Sequence, residues 1–124
     1  MNDAHFKPSL TVLTQVIGAN FRDRVVTDAG QKVMSGRFVG VKPAVLVKVE
    51  GEPLEFERVG LSEEHGTIYY KEGSESRERL KWGNKIEFVP NHCCTCMNQH
   101  DNMVVVKEGR IASVWPVTAR GKYY

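Results

Sequence analysis

The stretch VPNHCCTCMNQHD, Val89 to Asp101, holds all three cysteines of a 124-residue chain and two of its four histidines. On an extended chain, residues i and i+2 share a face, with Cα atoms roughly 6.6 Å apart. A strand opened by Pro90 would point His92, Cys94 and Cys96 one way and Cys93, Thr95 and Met97 the other. Imidazole and thiolate are both ligands for zinc and similar ions. An H-x-C pair gives only two of the four donors that a closed tetrahedral site needs. Further ligands must then come from elsewhere in the fold, or positions stay open for water and substrate, as catalysis requires. The alternative is a buried strand whose cysteines behave as small hydrophobes. A thiol redox role for Cys93, Cys94 and Cys96 is a third reading. Spacing alone leaves all three open.

Two neighbourhoods could support such a site. Asn98, His100 and Asp101 follow at once, and residues of these types can orient a ligand histidine. They are equally the residues of a polar turn. LSEEHG, Leu61 to Gly66, sets two carboxylates beside His65 and so could do acid–base chemistry, or it is a charged turn ended by glycine. Phosphate-cradling glycine loops, G-x-S-x-G elbows and H-E-x-x-H helices are absent.

The elements that must hold these residues read as strands. In LTVLTQVIGA (Leu10 to Ala19), Val12, Thr14, Val16 and Gly18 fall on one face, and Leu13, Gln15 and Ile17 on the other. RVVTDAG and AVLVKVEG are further candidates. LEFERVG alternates Leu54, Phe56 and Arg58 against Glu55, Glu57 and Val59. GTIYY, NKIEFVP, MVVVKEG and RIASVWPV complete the set. Strands at spacings of roughly 8–12 residues with glycine-bearing turns predict a small all-β barrel or sandwich of mostly antiparallel strands. KEGR predicts a hairpin with Gly109 at positive φ, and EGSESRERLKWG a loop with one helical turn. No segment keeps a 3.6-residue period, so long helices are not expected.

Composition bounds the rest. The hydrophobic share is 41% and the charged share 26%, ordinary for one globular domain spanning 1–124, with residues 1–9 as a lead-in. A net charge of +2 with no basic run among aromatics argues against nucleic acid. No apolar run approaches the roughly 20 residues a membrane helix needs. MNDAHFKPS lacks a signal peptide's pattern, which points to the cytoplasm. Three cysteines within four positions argue for reduced thiols rather than a disulfide framework.

Several stretches fall in a familiar order: LTVLTQVIG, VVTDAGQKVMS, GLSEEHG, KWGNKIEFVPNHCCTCMNQHD and VVVKEGRIASVWPVTARGK. From about Leu10 to Lys122 the chain resembles the C-terminal domain of the D-threonine aldolase and D-serine dehydratase family, pyridoxal-phosphate enzymes of the alanine-racemase type. PNH-x-C leading into N-x-HD, and the closing WPV-x-ARG, are the most specific blocks. The resemblance implies a β-rich domain that follows a (β/α)₈ barrel carrying the cofactor lysine, usually in a homodimer whose β domain completes the partner's active site. It makes His92 and Cys94 the ligands of a divalent metal, zinc favoured over manganese; Asn98, His100 and Asp101, read from their neighbourhood, are the expected supporting residues. The metal would act as a Lewis acid on the β-hydroxyl of a D-amino-acid substrate, and pyridoxal phosphate as an electron sink at its α-carbon. Deprotonating that hydroxyl leads to aldol cleavage, and its departure leads to elimination; the motif does not choose between them. Two departures matter. Cys96 stands where a small polar residue such as threonine is expected, which makes it a possible third ligand. The barrel is missing, so no cofactor lysine can be assigned, and the chain is not expected to bind pyridoxal phosphate or to catalyse the family reaction alone. The rival implication is a non-catalytic β module for dimerisation or for docking to a separate barrel.

Overall fold

The structure is a computed structural model, and it describes residues 7–35 and 42–122. Most of the expected lead-in, residues 1–6, therefore lies outside the described residues.

The expected strands form as β1 (Val12–Gly18), β2 (Arg24–Thr27), β3 (Ala44–Val49), β5 (Phe56–Leu61), β6 (Gly66–Tyr70), β7 (Lys85–Pro90), β8 (Asn102–Lys107) and β9 (Arg110–Pro116). A two-residue strand, β4 (Glu52–Pro53), adds to them. Seven strands make one sheet in the order β4-β3-β7-β1-β2-β6-β5, and β8 and β9 pair apart from it. Every pairing is antiparallel. The sheet curls into an antiparallel half-barrel, in keeping with the small, barrel-like all-β fold expected from the sequence.

Alternation places the core. In β1, Val12, Thr14 and Val16 are buried, while Leu13 and Ile17 face outward. Val25, Val47, Ile68, Ile86 and Phe88 line the same interior, each completely buried. β5 departs from its sequence pattern. The register shifts between Phe56 and Arg58, so Val59 turns inward and Arg58 outward, its guanidinium 3.4 Å from the centre of the Tyr69 ring. A bulge inserts one residue, and one residue exchanges the faces of everything after it.

The KEGR turn forms as expected: Lys107 pairs with Arg110, and Glu108 and Gly109 take φ of 51° and 75°. Positive φ at both central residues is the twist-matched hairpin geometry, which glycine at the second position makes easy. The polar stretch after β6 supplies one helical turn, α2 (Ser76–Arg79). Two further short helices were not expected: α1 (Gln31–Met34) and α3 (Cys93–Met97). Among the described residues no helix is long and apolar enough to cross a membrane.

Candidate metal centre

β7 delivers the motif. Its last pairing is Pro90 with Ala44, the first residue of β3, and the Asn91 N–H closes the edge by donating to the Pro43 carbonyl at 3.1 Å. Beyond Asn91 no strand pairing continues among the described residues. A chain without a neighbouring strand must satisfy its backbone groups locally. It does so by coiling: Asn98 N–H donates to the Cys94 carbonyl, Gln99 to Cys96 and His100 to Met97.

The expected strand face is therefore corrected. His92 is extended (φ −134°, ψ 110°) at the N-cap of α3, and Cys94 and Cys96 lie within the helix. At roughly 100° per residue, positions two apart on a helix point to nearly opposite sides. His92, Cys93 and Cys94 are exposed. Cys96 is buried in the core, its thiol directed at the Val33 carbonyl 3.5 Å away. Burial pushes that thiol up to about 11, so it stays protonated at neutral pH. All three cysteines are free.

The supporting residues are committed to architecture. The His100 Nε2 lies 2.8 Å from the same Val33 carbonyl. Asn98 Oδ1 accepts from the Gly121 N–H at 3.0 Å, and Asp101 pairs with Arg120 at 3.1 Å while its carbonyl accepts from the Val117 N–H. The two most specific sequence blocks thus meet: N-x-HD is tied to WPV-x-ARG by three contacts.

Two of the remaining blocks, VVTDAGQKVMS and GLSEEHG, hold the anchor. α1 begins at Gly30, and its Gln31 and Lys32 N–H groups donate to the Ser62 and Glu63 carbonyls of the LSEEHG turn. A Cβ on Gly30 would stand 2.4 Å from the His65 nitrogen and 2.5 Å from the Glu63 oxygen, so only glycine lets the turn approach. Within that turn, the Ser62 N–H and hydroxyl both donate to the His65 carbonyl. Glu64 pairs with Lys32, which lowers the carboxyl from its ordinary value, and both side chains are exposed. Here the turn reading holds: Glu63, Glu64 and His65 shape a surface loop against α1. Sequence reasoning missed Arg120 and the Val33 carbonyl. Arg120 stood inside a quoted block, but a backbone carbonyl leaves no sequence signal.

Among the described residues no three of His, Cys, Asp and Glu converge on a metal-sized site. What the chain offers is an exposed imidazole and an exposed thiol two residues apart. That donor set fits an open centre, completed by water, substrate or another protein surface, and does not fit a closed structural one.

The family profile described as "Putative serine dehydratase domain" matches residues 9–106. The chain belongs to that family. It is 33% identical to 3-hydroxy-D-aspartate aldolase of Paracoccus denitrificans over all 124 residues, which make up 29% of that protein. The crystal structure of D-threonine aldolase from Filomicrobium marinum superposes with a TM-score of 0.73 and 30% identity, covering 96% of this chain and 30% of that one. An alanine-racemase-like protein from Idiomarina loihiensis gives 0.70 at 25% identity, covering 86% and 30%. The serine dehydratase-type domain described here is thus homologous to a C-terminal portion of larger enzymes and spans about 30% of their length.

Proposed function

We propose that this chain is the metal-binding C-terminal domain of a pyridoxal-phosphate-dependent D-amino-acid lyase of the D-threonine aldolase or D-serine dehydratase type. His92 and Cys94 are its ligands to a divalent ion, zinc before manganese. One observation carries the reading: these two side chains are exposed where α3 begins, while Cys96, Asn98, His100 and Asp101 beside them are held by other groups. The ion, when bound, would supply Lewis-acid activation of the substrate's β-hydroxyl. The chain's own part is to present imidazole and thiolate from a braced loop and leave the remaining positions open. The related aldolases act on 3-hydroxy-D-aspartate and D-threonine by name, which supports a β-hydroxy D-amino acid as the substrate class. The cofactor lysine belongs to a barrel domain, so the isolated chain is inactive. The working assembly is a homodimer in the cytoplasm.

Equilibrium dialysis under reducing conditions with zinc supplied tests the ligand assignment. About one zinc per chain is expected, lost in His92→Ala and in Cys94→Ser. Retention by both variants would refute it.

A second reading, association with a barrel, is favoured by the β8–β9 hairpin. Val104 faces Val114 and Val106 faces Ile111 across it, and all four are 55–71% exposed. Two stacked aliphatic pairs open to water are the mark of a covered surface. Since this domain is 29% of the related aldolase and the rest of that protein lies outside it, the barrel is the occupant favoured here. Pull-down by a relative's barrel domain, lost on Val104→Ser/Val114→Ser, is expected; no capture would count against it.

A further inference from the structure

We infer that His100 is a positioning residue for the metal centre: by bonding the Val33 carbonyl it fixes α3 so that His92 and Cys94 can address one ion. This rests on the ligand assignment above and goes beyond it in saying what aims the ligands.

A helix of five residues has too few internal bonds to hold itself, so its conformation and direction come from tertiary contacts. α3 and the turn that follows it have two anchors on α1, and both converge on one oxygen. Cys96 reaches the Val33 carbonyl at 3.5 Å and His100 reaches it at 2.8 Å. The thiol is a weak donor; the imidazole N–H is a full-strength one at ideal length. The last carbonyls of a helix have no partner inside it, so the Val33 oxygen is available for both. α1 does not drift in turn, because its first N–H groups are bonded to the Ser62 and Glu63 carbonyls and Gly30 is wedged against the turn. A continuous path therefore runs from the β5–β6 turn through α1 and His100 to the loop that carries His92 and Cys94. With Nε2 engaged at 2.8 Å, His100 is spent as a brace. Groups bonded directly to metal ligands are typically worth about 10–100-fold in metal affinity, and a brace one step removed falls at the low end of that range.

The test uses His100→Ala and His100→Gln, the second because its amide N–H can still reach the Val33 carbonyl. Zinc affinity is measured by competition with a chelator, and amide hydrogen exchange is followed at Asn98 and Gln99. His100→Ala should weaken zinc by about tenfold or more with stoichiometry unchanged, and should speed exchange at both amides. His100→Gln should restore most of both. Equal, complete loss of zinc in both variants with exchange unaltered would make His100 a ligand and overturn the inference. Unchanged affinity and exchange in His100→Ala would overturn it as well. If wild type binds no zinc, the ligand assignment fails, and the exchange pattern alone decides whether the brace exists.

Discussion

The curled sheet and the β8–β9 hairpin are built from the same valine-rich vocabulary and reach opposite environments. Val16, Val25 and Val47 have no exposed surface, whereas Val104, Val106 and Val114 are more than half exposed. The sheet closes over its own apolar face because seven strands can curl; two strands cannot, and a lone hairpin is marginal in water. What separates the regions is therefore the neighbour rather than the residue type. The loop that carries His92 and Cys94 lies between them, joined to the sheet through α1 and to the hairpin's exit through Asn98–Gly121 and Asp101–Arg120.

That contrast can be broken most forcefully in the sheet. Phe88→Ala, at a completely buried site, should cost about 3–5 kcal/mol in urea unfolding. Val114→Ser, on the hairpin, should move the isolated chain by no more than about 0.5 kcal/mol. Similar costs would mean that the hairpin face is covered within the chain itself.

Next in size is Gly30→Ala. Its backbone φ of −99° suits any residue, so the effect is purely steric, and a loss of about 3 kcal/mol is expected. Because α1 carries the Val33 anchor, zinc affinity should fall with stability; a fall in stability alone would uncouple the turn from the loop.

Asp28 offers a pH readout confined to the sheet. The Thr14 hydroxyl, and after it the Gln15 N–H at 2.9 Å, hold its carboxyl below the ordinary value of 3.8. A lowered folded value means that this stabilisation is fully present above 3.8 and is lost as pH falls through the folded value. The stability gap between wild type and Asp28→Asn should therefore narrow only in acid below 3.8. A gap constant across that range would remove the carboxylate from the account.

The smallest effect belongs to Thr95, whose hydroxyl is buried without a hydrogen-bond partner among the described residues. Thr95→Val keeps the shape and removes the orphan, so the melting temperature should hold or rise slightly. A clear drop would reveal a partner for that hydroxyl.

The strands were legible because period two and Glu-Gly turns are local signals: Val12, Thr14 and Val16 faced inward as their spacing required. The bulge after Phe56 was not, since it depends on the partner strand β6. α3 was misread as a strand for a related reason. Nothing between Pro90 and Met97 announces that, among the described residues, the pairing with β3 stops at Ala44–Pro90 and the chain coils instead. At the candidate site, His92 and Cys94 were visible by type, and Asn98, His100 and Asp101 by their neighbourhood. Their partners were a carbonyl, an N–H and a distant arginine, groups that only folding brings near.

The central claim is that the exposed loop binds the ion and that the buried thiol does not. Cobalt substitution reads this directly, since a thiolate ligand gives an intense sulfur-to-cobalt absorption band. The band should appear in wild type, persist in Cys96→Ser and vanish in Cys94→Ser and in His92→Ala. A band that survives Cys94→Ser and disappears with Cys96→Ser would contradict the account.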